Sequence, residues 1–112
     1  MSKGTDKGAL LQGTLDLLVL RILAGGPKHG FAISQRLSDL SDDWLQVDEG
    51  SLYPCLYRLE ERGCVRSQVS LSENNRRARY YTISKRGQEE LHTRSENWRQ
   101  LSGVVSNVLK KG

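Results

Sequence analysis

Apolar residues fall in blocks separated by glycine, proline and acidic breaks, and the spacing changes from block to block. From residue 9 to 24, Leu10, Leu11, Leu15, Leu17, Leu18, Val19, Leu20, Ile22 and Leu23 cover more than one side of a helix. A helix apolar on two sides is buried on both. In so short a chain, one of those sides is expected to meet a second subunit, through Leu11, Leu15 and Leu18. Gly25-Gly26-Pro27 ends the block. His29 to Leu40 reads as a second helix, with Phe31, Ile33 or Ala32, Leu37 and Leu40 inward. Ser41-Asp42-Asp43 breaks it, and Trp44-Leu45-Gln46-Val47 alternates as a short strand does.

Asp48 is placed to cap a third helix with Glu49 in its first turn. Leu52, Cys55 or Leu56, and Leu59 make its inner face. The outer face shows Ser51, Pro54 and Arg58, flanked by Tyr53 and Tyr57. Pro54 removes one backbone bond and is expected to bend the first turns. Gly63 is the expected left-handed stop. Residues 64–69 and 77–83 read as two strands around a polar turn, with Tyr81 and Ile83 on one face and Tyr80 and Thr82 on the other. Ser84 caps a last helix that runs to about residue 110. Along it Leu91, Trp98 and Val105 recur every seven residues, as do Leu101 and Val108, with Val104 and Leu109 widening the stripe. Such a seam suits packing between subunits; packing on its own domain is the structural alternative.

Helix, helix, short strand, helix, two-stranded ribbon, helix is the order of a winged helix-turn-helix: mainly α with a small β-hairpin, an α+β fold. The expected organisation is a flexible N-terminus (1–8), a DNA-binding domain (9–84) and a dimerisation helix (85–112). In such folds the helix before the ribbon lies in the major groove, where base edges carry a distinct donor and acceptor pattern. Ser51 and Tyr57 can donate or accept there, while Arg58 can only donate, to guanine or phosphate. Tyr53 either presses on sugar or a thymine methyl, or is a half-buried core aromatic. Arg58 either meets DNA or pairs with Glu61. Asn74, Asn75, Arg76 and Arg77 would reach the flanking backbone or minor groove, with Arg79 at the base of the wing. Lys28, His29 and Gly30 open the second helix, whose amides could hold a phosphate. Trp98 is read as interface packing or, alternatively, as the wall of a ligand pocket.

Charge sharpens this picture. The chain of 112 residues carries a formal net charge of +4. Residues 58–86 hold eight Lys/Arg and three acids, a net of +5, which leaves −1 for everything else. Excess cation gathered in one stretch is the footprint of a polyanion partner. Composition is that of a soluble globular chain. No stretch reaches membrane-spanning length. Asp16 and Arg21 interrupt the N-terminal apolar run, against a signal peptide. The chain is therefore expected to be cytoplasmic. Cys55 and Cys64 have no metal-ligand spacing and read as core residues in a reducing compartment, with a thiol switch as the lesser option. No phosphate loop, nucleophile elbow or His/Cys cluster is present, so no enzyme, metal or cofactor is implied. Glu60-Glu61 and Glu89-Glu90 are read as solvated charge.

Four segments carry a family likeness: Leu11-Gln12-Gly13-Thr14-Leu15-Asp16; His29-Gly30-Phe31-Ala32-Ile33; Glu49-Gly50-Ser51-Leu52-Tyr53-Pro54 with Arg58-Leu59-Glu60 up to Gly63; and Arg79-Tyr80-Tyr81-Thr82-Ile83-Ser84 running into Gly87. Together they resemble the PadR family of bacterial transcriptional regulators, in its compact subgroup with a single C-terminal helix. The resemblance spans about residues 10–110. It implies a homodimeric repressor that binds inverted-repeat operators in double-stranded DNA, in a family many of whose members release DNA when a small-molecule effector, here unidentified, or a partner binds. By motif match, Ser51, Tyr53, Pro54, Tyr57 and Arg58 take the recognition-helix role, and Arg76, Arg77 and Arg79 the wing role. Cys55 and Cys64 depart from the family pattern, which commonly has plain apolar residues there. A second reading, from another class, is a winged-helix protein-interaction module whose basic wing meets an acidic protein surface.

Overall fold

A computed structural model describes residues 14–112. Among the described residues four helices and three strands follow one another: α1 (Leu15–Leu23), β1 (Lys28–His29), α2 (Gly30–Leu40), α3 (Glu49–Glu61), β2 (Val65–Leu71), β3 (Arg77–Ile83) and α4 (Lys85–Lys111). The expected start of the first helix, with Leu10 and Leu11, lies outside the described residues.

α1 is the centre of the core. Val19, Leu20 and Leu23 are essentially inaccessible and meet Ile33 and Leu37 of α2, and Leu52, Leu56 and Leu59 of α3. Burying such a side chain is worth about 1.5–3 kcal/mol relative to leaving it exposed. Each remaining helix starts where the sequence supplies a cap. His29 Nδ1 accepts from the Ala32 amide at 3.1 Å, Asp48 Oδ1 from Ser51 at 2.9 Å, and Ser84 Oγ from Gly87 at 3.1 Å. Each such cap contributes about 1 kcal/mol. α3 continues through Pro54 and is followed by Gly63 at φ +77°, the left-handed stop expected there.

The sheet is antiparallel with order β1-β3-β2. Its third strand is not the one the alternation at Trp44–Val47 suggests. Lys28 and His29 pair instead with Tyr81 and Tyr80. The Trp44–Val47 segment has no ladder. The Leu45 amide donates to Ser41 Oγ at 2.9 Å, and Ser34 Oγ donates to the Val47 carbonyl at 3.2 Å. Side chains of α2 and of the residue just after it thus satisfy backbone groups that a strand partner would otherwise take, and only Val47 enters the core. α2 also buries less than its pattern suggests: Phe31 is 73% exposed and Leu40 61%, leaving Gly30, Ile33 and Leu37 inward.

α4 divides in two. Its first turns belong to the core unit: Leu91 packs against the core, and Gly87 lies so close to the residue that leads into β2 that a Cβ would stand 2.1 Å from the Cys64 carbonyl oxygen. The seam beyond is bare. Trp98, Leu101, Val104, Val105, Val108 and Leu109 are all exposed on a helix of 27 residues, about 40 Å long at 1.5 Å per residue.

Candidate nucleic-acid interface

The outer face of α3 is free because the inner face takes all the burial. Leu52, Cys55, Leu56 and Leu59 go inward, while Ser51, Tyr53, Pro54, Tyr57 and Arg58 remain outside. Tyr53 stands between the two roles open to it. It is 43% exposed, and a Cβ added at Gly30 would come within 2.6 Å of its hydroxyl oxygen. Gly30 itself is buried. Its place at the start of α2 is therefore a seat for the Tyr53 ring, which no spacing along the chain reveals.

Lys28 and His29 are partly buried in β1. The His29 ring meets Tyr80 edge-on at 5.3 Å and Phe31 at 6.5 Å. Because His29 caps the Ala32 amide, one of the backbone donors offered to a phosphate is already occupied. Lys28, His29, Phe31 and Arg36 line one side of a groove of about 560 Å³, and Ser72, Glu73, Asn74 and Tyr80 line the other. The start of α2 and the wing turn are thereby brought to a single concavity.

The wing turn is built by its own residues. The Asn75 amide donates to the Ser72 carbonyl at 3.0 Å, and the Arg76 amide to Ser72 Oγ at 3.3 Å. Asn75 holds φ +59°, a conformation that asparagine tolerates better than most residues, so it has a structural duty as well as an exposed side chain. Among the described residues neither Arg76 nor Arg77 makes an ion pair, and both are exposed. Arg79 is tethered: its Nη1 donates to Ser67 Oγ at 3.0 Å, and Ser67 donates to Glu60 Oε2 at 2.7 Å. That chain ties the wing to the end of α3.

A cluster beneath α3 escaped sequence reasoning. Asp16 of α1 stands 3.5 Å from Arg58, 3.4 Å from Arg62 and 3.6 Å from Arg94 of α4. Glu90 pairs with Arg62 at 2.5 Å and Arg94 at 2.9 Å. Arg58 thus pairs with Asp16 rather than with Glu61 three residues on. Glu90 is not solvated charge but the centre of an ion-pair cluster. Burial alone would raise its carboxyl, yet hydrogen bonds from Arg62, Arg94 and Cys64 outweigh that and hold it below its ordinary value of 4.5. Both cysteines are buried and unbridged. Cys55 donates to Asp16 Oδ1 at 3.0 Å and Cys64 to Glu90 Oε1 at 3.4 Å. Burial, with the hydrogen bond to Asp16 and its charge, pushes the Cys55 thiol up to about 12, and Cys64 is raised for the same kinds of reason. Such thiols are poor nucleophiles.

The residues assigned to a subunit interface separate. Leu15 is buried in its own core and Leu18 packs against it. Leu91 is partly buried in the same way. Trp98, Leu101, Val105 and Val108 are exposed, and Leu11 lies outside the described residues. Trp98 also borders an apolar cleft of about 600 Å³ with Leu17, Leu18, Trp44 and Leu45. Among the described residues no group of His, Cys, Asp or Glu is placed to hold a metal ion, and no helix is long and apolar enough to cross a membrane.

Known proteins fit this geometry. A family model described as "Transcriptional regulator PadR-like family" matches residues 19–93. A PadR family transcriptional regulator from Eggerthella lenta is 27% identical, with TM-score 0.82, over 97% of this chain and 93% of that one. A PadR-like transcriptional regulator from Bacillus cereus is 28% identical, with TM-score 0.80, over 93% and 98%. A transcriptional regulator from Clostridium thermocellum is 26% identical, with TM-score 0.81, over 88% and 96%.

Proposed function

Because the chain belongs to the PadR-like family of transcriptional regulators, which are not enzymes, we propose that it is a cytoplasmic, homodimeric repressor of an inverted-repeat operator. One observation carries the reading. α3 keeps Ser51, Pro54, Tyr57 and Arg58 outside the core, and the wing next to it ends in two exposed arginines that form no ion pair among the described residues. A helix fits the major groove, and its polar outer residues reach base edges. Arg76 and Arg77 meet the phosphates alongside, while Lys28 and Asn74 close the edge of the site from the groove they share. Tyr53, seated on Gly30, contributes its exposed half to a sugar or thymine methyl.

The second copy comes through the far half of α4. Among the described residues the stripe from Trp98 to Leu109 stays exposed, and six exposed apolar side chains in register favour burial against their equivalents. Two α3 helices related by that two-fold would enter successive major grooves roughly 34 Å apart. The cleft beside Trp98 is of the size that holds a drug-sized apolar molecule, and we assign it to an effector.

In vitro selection of bound duplexes tests the reading. A palindromic winner is the expected result, and binding to any sequence alike counts against it. Trp98→Ala with Leu101→Ala is expected to shift the protein to monomer in a sedimentation measurement. An intact dimer would move the interface elsewhere.

A further inference from the structure

We propose that Asp16 is a positioning residue for DNA recognition: it holds the Arg58 guanidinium in place before the operator arrives. The inference rests on the reading of α3 as the recognition helix. Arg58 lies on the outer face of α3 with its side chain 52% exposed, whereas Asp16 is 13% exposed beneath it. The two carboxylate oxygens divide their work. Oδ2 faces inward to Arg62 at 3.4 Å and Arg94 at 3.6 Å. Oδ1 takes the Cys55 thiol at 3.0 Å and Arg58 Nη2 at 3.5 Å.

Arg62 and Arg94 keep a carboxylate partner whatever happens at Asp16, because both bond Glu90 at shorter range. Three arginines against two carboxylates leave one positive charge over, and Arg58 is the member that faces out. A guanidinium has five N–H donors in a rigid fork. Asp16 engages one nitrogen, so the others remain available to a guanine edge or a phosphate. An arginine held in this way has surrendered rotamer freedom before binding, which favours the contact that needs its orientation over the contact that needs only its charge.

The opposite signs expected for these two contacts make the idea testable. Asp16→Asn keeps the volume but removes the charge and weakens the tether. Affinity for random duplex should stay level or rise, since a negative charge near the DNA-facing surface is gone. Affinity for the selected operator should fall, lowering the operator-to-random ratio about tenfold. In an Arg58→Ala background the same change should leave that ratio untouched. A purely structural role would lower both affinities together, in step with the melting temperature, and that result overturns the proposal. So does an unchanged ratio. Arg58→Lys supplies a test that leaves Asp16 intact: it keeps charge and reach but loses the fork. It should lower the ratio nearly as far as Arg58→Ala, and a wild-type ratio would overturn the proposal. If Arg58→Ala itself binds operator like wild type, the assignment of α3 has failed, whereas a weakened Arg58→Ala with a silent Asp16→Asn condemns the positioning role alone.

Discussion

Two groups of arginines that look alike along the chain are used in opposite ways. Arg76 and Arg77 stand at the tip of a hairpin, exposed and without acidic partners among the described residues. Arg58, Arg62 and Arg94 gather around Asp16 and Glu90 where α1, the third helix and α4 meet. The first group leaves its charge for something outside the molecule. The second, Arg58 apart, spends it joining α1, α3 and α4. Net charge over a stretch of sequence therefore overstates the cationic footprint: Arg62 counts toward it on paper and is consumed within the fold.

The sharpest way to break this contrast is to remove the acid from the inner cluster. Glu90→Ala strips Arg62 and Arg94 of their nearest partner in a partly shielded place. It should cost about 2 kcal/mol, seen as a melting temperature lower by roughly 10 °C in calorimetry. A change as small as that of an ordinary surface substitution would show that the cluster is mere decoration. The opposite pattern belongs to the wing. Arg76→Ala combined with Arg77→Ala should leave stability within about 0.5 kcal/mol. The same pair should weaken operator and random DNA alike and make the salt dependence shallower by about two counterions, measured by titration at several ionic strengths. An unaltered salt slope would place the wing away from the phosphates.

A smaller effect follows from acid. The Glu90 carboxyl is held below 4.5 in the folded chain, so the folded state binds its proton less readily than the unfolded state. Stability from this group is present above its ordinary, unfolded value and is lost as pH falls through the lowered folded value. Denaturant melts between pH 5 and 3 should show the decline, and Glu90→Gln should flatten it. Smallest of all is the response to oxidant. With Cys55 at about 12 and both thiols buried, peroxide should leave DNA affinity unchanged until the protein unfolds. A loss of binding by native protein would revive the thiol switch.

Local chemistry made much of this molecule legible in advance. Asp48 and Ser84 cap helices through bonds three residues long, and the inner face of α3 follows from period alone. The hairpin and its cationic tip follow from alternation and a polar turn. Errors arose where the deciding partner was distant. Trp44–Val47 alternates like a strand, but the sheet edge it would need is held by Lys28–His29. Phe31 and Leu40 have inward spacing, but the core opposite is already filled by Ile33 and Leu37. Asp16 looked like an interruption in an apolar run, and Glu90 like one more solvated acid.

By itself, then, the order of residues determined where the third and last helices are capped, where the wing hairpin lies and which face of α3 stays polar, because those depend on neighbours close along the chain. It also supplied the bare apolar stripe on α4, whose period is readable without coordinates. The tertiary structure decided which charges are free and which are spent, because ion pairs such as Asp16–Arg58 join residues more than forty positions apart. It likewise decided why Gly30 must be a glycine, since the ring that rests on it comes from another helix. Covalent proximity sets conformation, whereas compensation of charge and volume is settled only once the chain has closed on itself.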